Sequence, residues 1–143
     1  DGIRDVAVTG VQTCALPIFH GRSEGVLSEQ RGATFTGAVW ADPIMPTTDN
    51  VTLNNVFFSP GARTHWHTHE QGQMLHVLAG KGWICQEGQV PQAIRSGDVV
   101  WIGPHERHWH GAAEGSYMIH MATSIGKTLW AEAVSEGDYP HQG

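Results

Sequence analysis

Histidines occupy alternate positions in one short stretch of the chain, at His65, His67 and His69. In an extended strand, residues two apart point to the same face, so these three rings share one side. Neutral imidazole is a common protein ligand of divalent transition metals, and Gln73 adds an amide oxygen four residues further on. The spacing therefore predicts a metal clamp on one strand. We place His65 at its rim, because three histidines of one strand rarely all reach one ion.

A second stretch repeats this alternation and can complete the metal site. Residues 103–110 read Gly-Pro-His-Glu-Arg-His-Trp-His, and we expect the fourth ligand to come from here. The alternative is a hydrogen-bonded cluster of histidines without a metal. Burying several imidazoles and an amide in that way leaves polar groups that each cost about 1 to 3 kcal/mol if unpaired. A metal accounts for all of them together, so we favour it.

The elements that must position these residues are short strands. Apolar and β-branched runs are separated by many of the 18 glycines and seven prolines, a punctuation typical of an all-β chain. We predict a strand over residues 34–40 that Asp42 and Pro43 break, a loop over residues 45–50, and a strand over Val51–Phe58. Eight or more such strands at regular spacing indicate a sandwich or a barrel.

The length of the chain suits one domain. With 143 residues and 40% hydrophobic content, it can bury its own core. We assign residues 34–143 to this domain and residues 19–33 to a polar arm that leads into it. Residues 1–18 fit neither part and resemble translated sequencing-adapter sequence, so we treat them as a non-native extension. The native N-terminus, and a signal peptide with it, can have been lost in its place.

Composition excludes several classes of partner. Only 15% of the residues are charged, the net charge is −6 and no basic run occurs, so we expect no nucleic-acid partner. No apolar run approaches the roughly twenty residues of a membrane-spanning helix, so we expect no membrane partner. Two cysteines, Cys14 and Cys85, make no disulfide framework. We therefore expect a cytoplasmic protein with a small-molecule partner.

The spacing of the glycines and histidines resembles the two motifs of the cupin family. The first motif is matched at Gly61, His67, His69, Gln73 and Gly80, with glutamine where the family usually has glutamate. The second is matched at Gly97, Asp98 and His108, while Pro104 and Ala112 depart from it. The resemblance implies the cupin double-stranded β-helix, a jelly-roll barrel, in which His67, His69, Gln73 and His108 bind one metal ion.

Several longer segments are similar to the small bacterial manganese-dependent cupin hydroxynitrile lyases. These segments are residues 60–64, 66–69, 72–73, 97–101 and 108–113, and the similarity extends from about Phe35 to Tyr139. The resemblance implies Mn(II) as the metal, whereas spacing alone also allows Fe(II), Ni(II), Zn(II) or copper. It further implies that His110 and His120 are acid–base groups near the metal and that Thr64 contacts the substrate. Together with exposed edge strands, it implies a homodimer or higher homo-oligomer.

The predicted function is that of an enzyme, a metal-dependent carbon–carbon lyase. It would cleave a cyanohydrin into an aldehyde and hydrogen cyanide, and would catalyse the reverse addition. One alternative is a metal-dependent cupin dioxygenase or isomerase, because three histidines with open positions also suit oxygen chemistry. Another is a non-catalytic cupin that binds a small molecule, since fold and metal do not dictate chemistry.

Overall fold

The computed structural model describes residues 15–20 and 26–142, and every regular element among them is a β-strand. Most of the predicted extension, residues 1–14, lies outside the described residues. The twelve strands are β1 (Glu29–Arg31), β2 (Phe35–Thr36), β3 (Val39–Thr48), β4 (Val51–Phe58), β5 (Arg63–Thr64), β6 (His67–His69), β7 (Gln73–Gln86), β8 (Gln92–Arg95), β9 (Val99–Ile102), β10 (His108–Ala112), β11 (Met118–Ile125) and β12 (Thr128–Trp130). The described chain has no helix of the length and apolarity needed to cross a membrane.

The strands wrap into a nearly closed barrel. Their hydrogen-bonded order is β1-β3-β4-β11-β7-β10-β5-β2. Outside this path, β8 and β9 each pair with β7, and β6 pairs with both β10 and β12. The long strand β7 joins the two halves, because its first part pairs with β11 and its second part pairs with β10. This architecture confirms the predicted all-β jelly-roll class. It also places β6 and β10 side by side, which brings the two histidine stretches together.

A change of direction within β7 depends on Gly80. Its φ of 75° lies in the left-handed region, and a Cβ at this position would collide with the carbonyl oxygen of Tyr117. The register between β7 and β11 shifts near this point, between Ile119 and His120. Two constraints therefore require glycine at this position: the left-handed backbone conformation and the lack of space for a Cβ. It allows one strand to serve both halves of the barrel.

Alternation along the strands sorts side chains between the interior and the outer faces. The barrel interior is filled by an apolar cluster that includes Val39, Phe58, Leu75, Val77 and Met118. A second cluster lies behind the histidine strands and contains Trp66, Cys85, Trp109, Val134 and Tyr139. Trp66 and Trp109 alternate with the histidines and pack on the opposite face, as the sequence predicted. Cys85 is a buried core residue whose thiol pKa is raised by desolvation.

Three predicted boundaries were wrong. The strand predicted over residues 34–40 is divided at Gly37, whose φ is 82°, into β2 and the start of β3. Asp42 and Pro43 do not break the chain, because β3 continues through them to Thr48. β1 pairs only as far as Ala41, so the following part of β3 has an open edge where a proline without an N–H is tolerated. The predicted loop over residues 45–50 is in fact strand followed by a two-residue turn.

That turn consists of Asp49 and Asn50, whose φ angles are 51° and 69°. Thr48 and Val51 pair directly across it. Aspartate and asparagine tolerate this left-handed conformation, which is the one that tight hairpins use. The polar composition of the segment marks a hairpin turn and not a loop. In addition, part of the arm over residues 19–33 joins the sheet as β1.

Candidate metal centre and active-site cavity

A cavity of about 260 Å³ opens into the barrel beside the histidine strands. Its inner wall consists of buried residues: Phe58, Thr64, His67, His69, Gln73, His110, His120 and Ala122. Its outer wall consists of partly exposed residues: Arg31, Thr34, Phe35, Thr52, Asn54, Val56, Ser124, Gly126, Thr128 and Trp130. The cavity therefore has a polar, buried floor and a mouth that solvent reaches.

The floor is assembled from four strands. His67 and His69 lie on β6, and His108 and His110 lie on the neighbouring strand β10. His67 and His108 are direct partners in the antiparallel register, and their ring centroids are 4.2 Å apart. β7 contributes Gln73 and β11 contributes His120. The alternation that the sequence predicted thus places all of these side chains on the interior face.

The rings of His67 and His108 are each held by a hydrogen bond from Nδ1. His67 Nδ1 donates to the carbonyl oxygen of His65 at 2.8 Å, and His108 Nδ1 donates to the carbonyl oxygen of Glu106 at 2.8 Å. A neutral imidazole carries one proton, so each Nε2 is left with a free lone pair. This arrangement, in which a backbone carbonyl fixes the tautomer, is the usual second contact of a metal-binding histidine.

Gln73 presents its amide oxygen to these rings. Its Nε2 donates to Ser124 Oγ at 2.9 Å, and this turns Oε1 toward His108 Nε2, 3.2 Å away. Because the His108 proton is already on Nδ1, two acceptors face each other at that distance with no proton between them. A cation resolves such a contact, since both atoms can donate a lone pair to it.

His69 also has a buried ring nitrogen without a hydrogen-bond partner. Its Nδ1 contacts Thr128 Oγ1 at 3.0 Å, whereas its Nε2 is buried and has no hydrogen-bond partner. A buried nitrogen without a partner costs about 1 to 3 kcal/mol. The ring of His69 lies 5.0 Å from that of His67 and 5.4 Å from that of His108, measured between centroids.

His110 and His120 form a second, fully buried pair. His110 Nδ1 and His120 Nε2 are 3.0 Å apart and share one proton. The other nitrogen of each ring, His110 Nε2 and His120 Nδ1, is buried without a hydrogen-bond partner. Thr64 Oγ1 accepts from the backbone N–H of His110 at 3.2 Å. The hydroxyl proton of Thr64 is therefore available to a group in the cavity.

Burial keeps these imidazoles neutral. Desolvation lowers the pKa of His69, His108 and His120 to about 4. It lowers the pKa of His67 and His110 well below the usual range, and neighbouring histidines lower these two further. All five rings are thus uncharged at neutral pH, which leaves their lone pairs free to bind a metal.

The tightest cluster differs from the predicted ligand set. One ring nitrogen from each of His67, His108 and His110 lies within 4.8 Å of the other two, and this trio could hold a metal ion. His69 is not part of the trio, although it shares the floor with Gln73. The bare nitrogens and the opposed acceptors together fit a divalent transition-metal ion. His110, predicted as an acid–base group, is close enough to be a ligand instead.

The remaining histidines do not line the cavity. His65 contributes only its carbonyl oxygen to the ring of His67, His76 lies on the outer face of β7, and His105 sits in an exposed turn with a φ of 62°. Glu70 is exposed and binds the backbone N–H of Lys127. These placements agree with their predicted exclusion from the site.

Sequence reasoning missed three residues at the mouth. Trp130 packs its ring 4.5 Å from that of His67, and Phe35 packs 5.5 Å from Trp130, both measured between centroids. Arg31 also lines the cavity. The three residues reach it because β12 pairs with β6, β2 pairs with β5 and β1 pairs with β3. In the sequence, only the alternation of Thr128 and Trp130 on one short strand could have indicated that residues of this strand line the mouth.

Comparison with known proteins agrees with the fold. A family model described as a cupin domain matches residues 55–122. The (R)-mandelonitrile lyase of Granulicella tundricola is 46% identical over 111 residues, which cover 73% of this chain and 85% of that protein.

Solved structures give the same result. A cupin-like protein from Thermotoga maritima superposes with a TM-score of 0.75 at 36% identity, covering 82% of this chain and 95% of that one. A polyketide cyclase from Streptomyces resistomycificus superposes with a TM-score of 0.68 at 18% identity, covering 89% and 91%, and shares the fold alone. With the barrel, both histidine motifs and a long match to a known relative in agreement, the chain belongs to the cupin family.

Proposed function

We propose that this cupin is a metal-dependent lyase that cleaves cyanohydrins to an aldehyde and hydrogen cyanide and catalyses the reverse addition. The observation that carries the proposal is the buried His110–His120 pair, joined at 3.0 Å, in which His110 also belongs to the three-histidine cluster. Cyanohydrin cleavage needs a group that takes a proton from a hydroxyl and returns it to cyanide. The similarity to an (R)-mandelonitrile lyase supports the same reaction.

The floor residues would hold the metal. His67, His69, Gln73 and His108 are the ligands that we propose, and His110 is near enough to replace one of them. Mn(II) is the ion that we favour, from the resemblance to the manganese-dependent lyases. When bound, a divalent cation among neutral ligands supplies a Lewis acid for an oxygen atom of the substrate.

The histidine pair would move the proton. The substrate hydroxyl gives its proton to a free nitrogen of the pair, the bond between the carbinol carbon and the nitrile carbon breaks, and the bonding electrons leave with cyanide. The same proton then goes to cyanide, and the hydroxyl oxygen becomes the carbonyl oxygen of the aldehyde. A buried imidazolium is a stronger acid than a solvated one, because desolvation lowers the pKa of His120 to about 4. It therefore returns the proton readily to the departing anion.

Thr64 and the aromatic wall would orient the substrate. The Thr64 hydroxyl is free to donate, because its oxygen already accepts from His110. Phe35 and Trp130 provide flat apolar surface at the mouth, which suits an aromatic group attached to the reacting carbon. The cavity of about 260 Å³ lies just below the usual volume of a ligand site. We therefore propose a small, aromatic cyanohydrin as the substrate.

The test uses racemic mandelonitrile and the full chain. Manganese-loaded protein should release benzaldehyde faster from one enantiomer than from the other, and prior chelation should abolish the release. Replacing the base in His120→Gln should lower kcat at least about 100-fold without changing metal content. His76→Gln, on the outer face of the same barrel, serves as the control. Release that is equal for the two enantiomers and insensitive to chelation would refute the proposal.

A second candidate function follows from the three-histidine cluster itself. Three imidazoles with open positions at the ion also suit oxygen chemistry on a diketone or a phenol. Oxygen uptake by the metal-loaded protein with such substrates, without mandelonitrile cleavage, would favour this dioxygenase. If the protein binds small molecules and catalyses nothing, replacing His110 and His120 should leave ligand binding unchanged.

A further inference from the structure

The mouth of the cavity carries one formally charged side chain. Arg31 is the only arginine, lysine, aspartate or glutamate among the described residues that line the cavity. This contrasts with a chain whose net charge is −6. A neutral cyanohydrin such as mandelonitrile makes no use of a guanidinium. The residue therefore raises the question of what ligand group it would contact.

The position of Arg31 is fixed by the fold. It lies at the end of β1, paired with Val39 of β3, which is part of the fully buried core. Its side chain is 36% exposed and lies 3.4 Å from the carboxylate of Glu29 on the same strand. Surface pairs of this kind contribute little, because both charges remain hydrated. A ligand carboxylate can thus replace Glu29 at small cost and gain a two-pronged contact with the guanidinium.

The aromatic wall, Phe35 and Trp130, lines the same cavity as this charge. Trp130 contacts both the ring of Phe35, 5.5 Å away, and the ring of His67, 4.5 Å away, measured between centroids. An aromatic ring stacked on this wall would have one end at the buried histidines and the other end at the solvent-exposed mouth. The cavity therefore offers three kinds of contact to one ligand: a polar floor, an aromatic wall and a cation.

We propose that Arg31 makes this site selective for aromatic ligands that carry an anionic group, a carboxylate, at the end opposite the reacting carbon. The inference rests on the proposed function in that it takes the same cavity as the substrate site. In the cleavage direction the substrate is then the cyanohydrin of a formyl-substituted aromatic acid. Arg31 acts on binding alone and takes no part in proton transfer.

The test compares two aldehydes of nearly equal shape, 4-formylbenzoate and the neutral 4-formylbenzamide. NMR titration of the metal-loaded full chain should give a dissociation constant about tenfold lower for the carboxylate, the range expected of a charge-assisted hydrogen bond at a partly exposed site. Arg31→Gln should remove this preference. Arg95→Gln, which removes a charge from exposed strand β8, should leave it unchanged.

Two further variants separate recognition from a general effect on folding. Arg31→Lys keeps the charge and should keep part of the preference, whereas Glu29→Gln removes the competing carboxylate and should increase it. The preference should also fall as NaCl is raised from 50 to 500 mM, because the site is reached by solvent. If Arg31 had a purely structural role, none of these changes would alter the ratio of the two dissociation constants.

The outcomes are distinct from those that test the lyase reaction. Equal binding of both aldehydes, or a carboxylate preference that survives in Arg31→Gln, overturns the inference; the second result would mean that the carboxylate binds at the floor. A protein that prefers 4-formylbenzoate through Arg31 but cleaves no cyanohydrin supports the inference and contradicts the proposed reaction. A protein that cleaves mandelonitrile but shows no carboxylate preference supports the proposed reaction and contradicts the inference.

Discussion

The difference between His67 and His65 shows how closely the site depends on strand geometry. The two residues are neighbours on the same predicted face, yet only the ring of His67 reaches the cavity floor. We expect His67→Ala to weaken metal binding by at least about 100-fold, since even indirect partners of a ligand contribute 10- to 100-fold. Elemental analysis after dialysis against a graded chelator measures this.

His65→Ala is the matched control. It removes a ring from the same short segment but leaves the carbonyl oxygen that holds His67 Nδ1. It should retain wild-type metal content. If the two variants lose metal equally, the assignment of His67 to the floor is wrong.

Ser124 affects the metal through Gln73. Its hydroxyl accepts from Gln73 Nε2 and thereby turns Oε1 toward His108. In Ser124→Ala the amide is no longer oriented, so we expect about tenfold weaker metal affinity and unchanged folding. Thr123→Ala, the adjacent residue that faces the other side of β11, should have no effect on affinity. Equal affinities in all three proteins would exclude Gln73 as a ligand whose orientation matters.

Spacing predicted the floor residues because strand alternation is a local property. Alternation placed His67 and His69 on one face from positions two residues apart. The resemblance to the cupin motifs then identified His108, from the second histidine stretch, as the further ligand. Thr128, Trp130 and Arg31 were not assigned, because each reaches the cavity through pairing with a distant strand. No local pattern encodes which strands become neighbours.

At the scale of elements, the continuity of β7 through Gly80 is the feature most sensitive to sequence. Gly80→Ala adds a Cβ that collides with the Tyr117 carbonyl, in a backbone conformation that already disfavours side chains. Gly88→Ala is the matched control, since Gly88 has a φ of 81° but open space around it. The control should lose about 1 kcal/mol from the backbone alone.

We expect Gly80→Ala to lose at least about 3 kcal/mol, because the clash with the backbone of β11 adds to the same conformational cost. Urea unfolding of both variants measures the difference. Equal losses would show that space at Gly80 is unimportant and that the β7 bend tolerates a methyl group.

The elements themselves were predictable where composition and geometry agree. The strand over Val51–Phe58 was found because its residues alternate, and the structure shows that its inward positions line the cavity. The predicted loop over residues 45–50 failed because threonine, proline and methionine there occupy a partly open strand edge. A polar segment at an edge can be strand, and only its pairing with β4 distinguishes the two.

For the whole molecule, the buried histidines link stability to pH. In the metal-free protein the pKa values of His69, His108 and His120 are lowered to about 4 in the folded state, from 6.5. Between these values the unfolded chain binds more protons than the folded chain, so stability decreases as pH falls from about 6.5 toward 4.

Each histidine contributes at most about 1.4 kcal/mol per pH unit to this decrease. Urea unfolding of chelator-treated protein at pH 7.5, 6.5, 5.5 and 4.5 should show a nearly flat region followed by a steep loss. His120→Phe, which keeps a ring of similar size but cannot titrate, should have a smaller slope. A free energy of unfolding that is constant down to pH 4.5 would contradict the burial of neutral imidazoles.

The outer face of the sheet formed by β3, β4, β11, β7 and β9 carries apolar side chains in two rows, separated by a mixed row that contains Asp42, Asn55 and His76. One row pairs Trp40, Phe57 and Ile119 across three strands, and another pairs Leu53, Thr123, Met74 and Trp101 across four. Trp101 is 58% exposed, and Phe57 stacks on exposed Tyr117. Large exposed apolar side chains grouped on one sheet face are typical of a protein interface.

We expect a second copy of the chain to cover this face, because a two-fold dimer brings the same apolar rows of both protomers together. Light scattering during gel filtration should then give twice the chain mass of 15.6 kDa. Phe57→Glu places a charge in the middle of the face and should produce a monomer, because a buried unpaired charge is costly. Val90→Glu, which alters an exposed apolar residue outside this sheet, should remain dimeric. A wild-type monomer at micromolar concentration, or a Phe57→Glu variant of unchanged mass, would show that this face is not the interface.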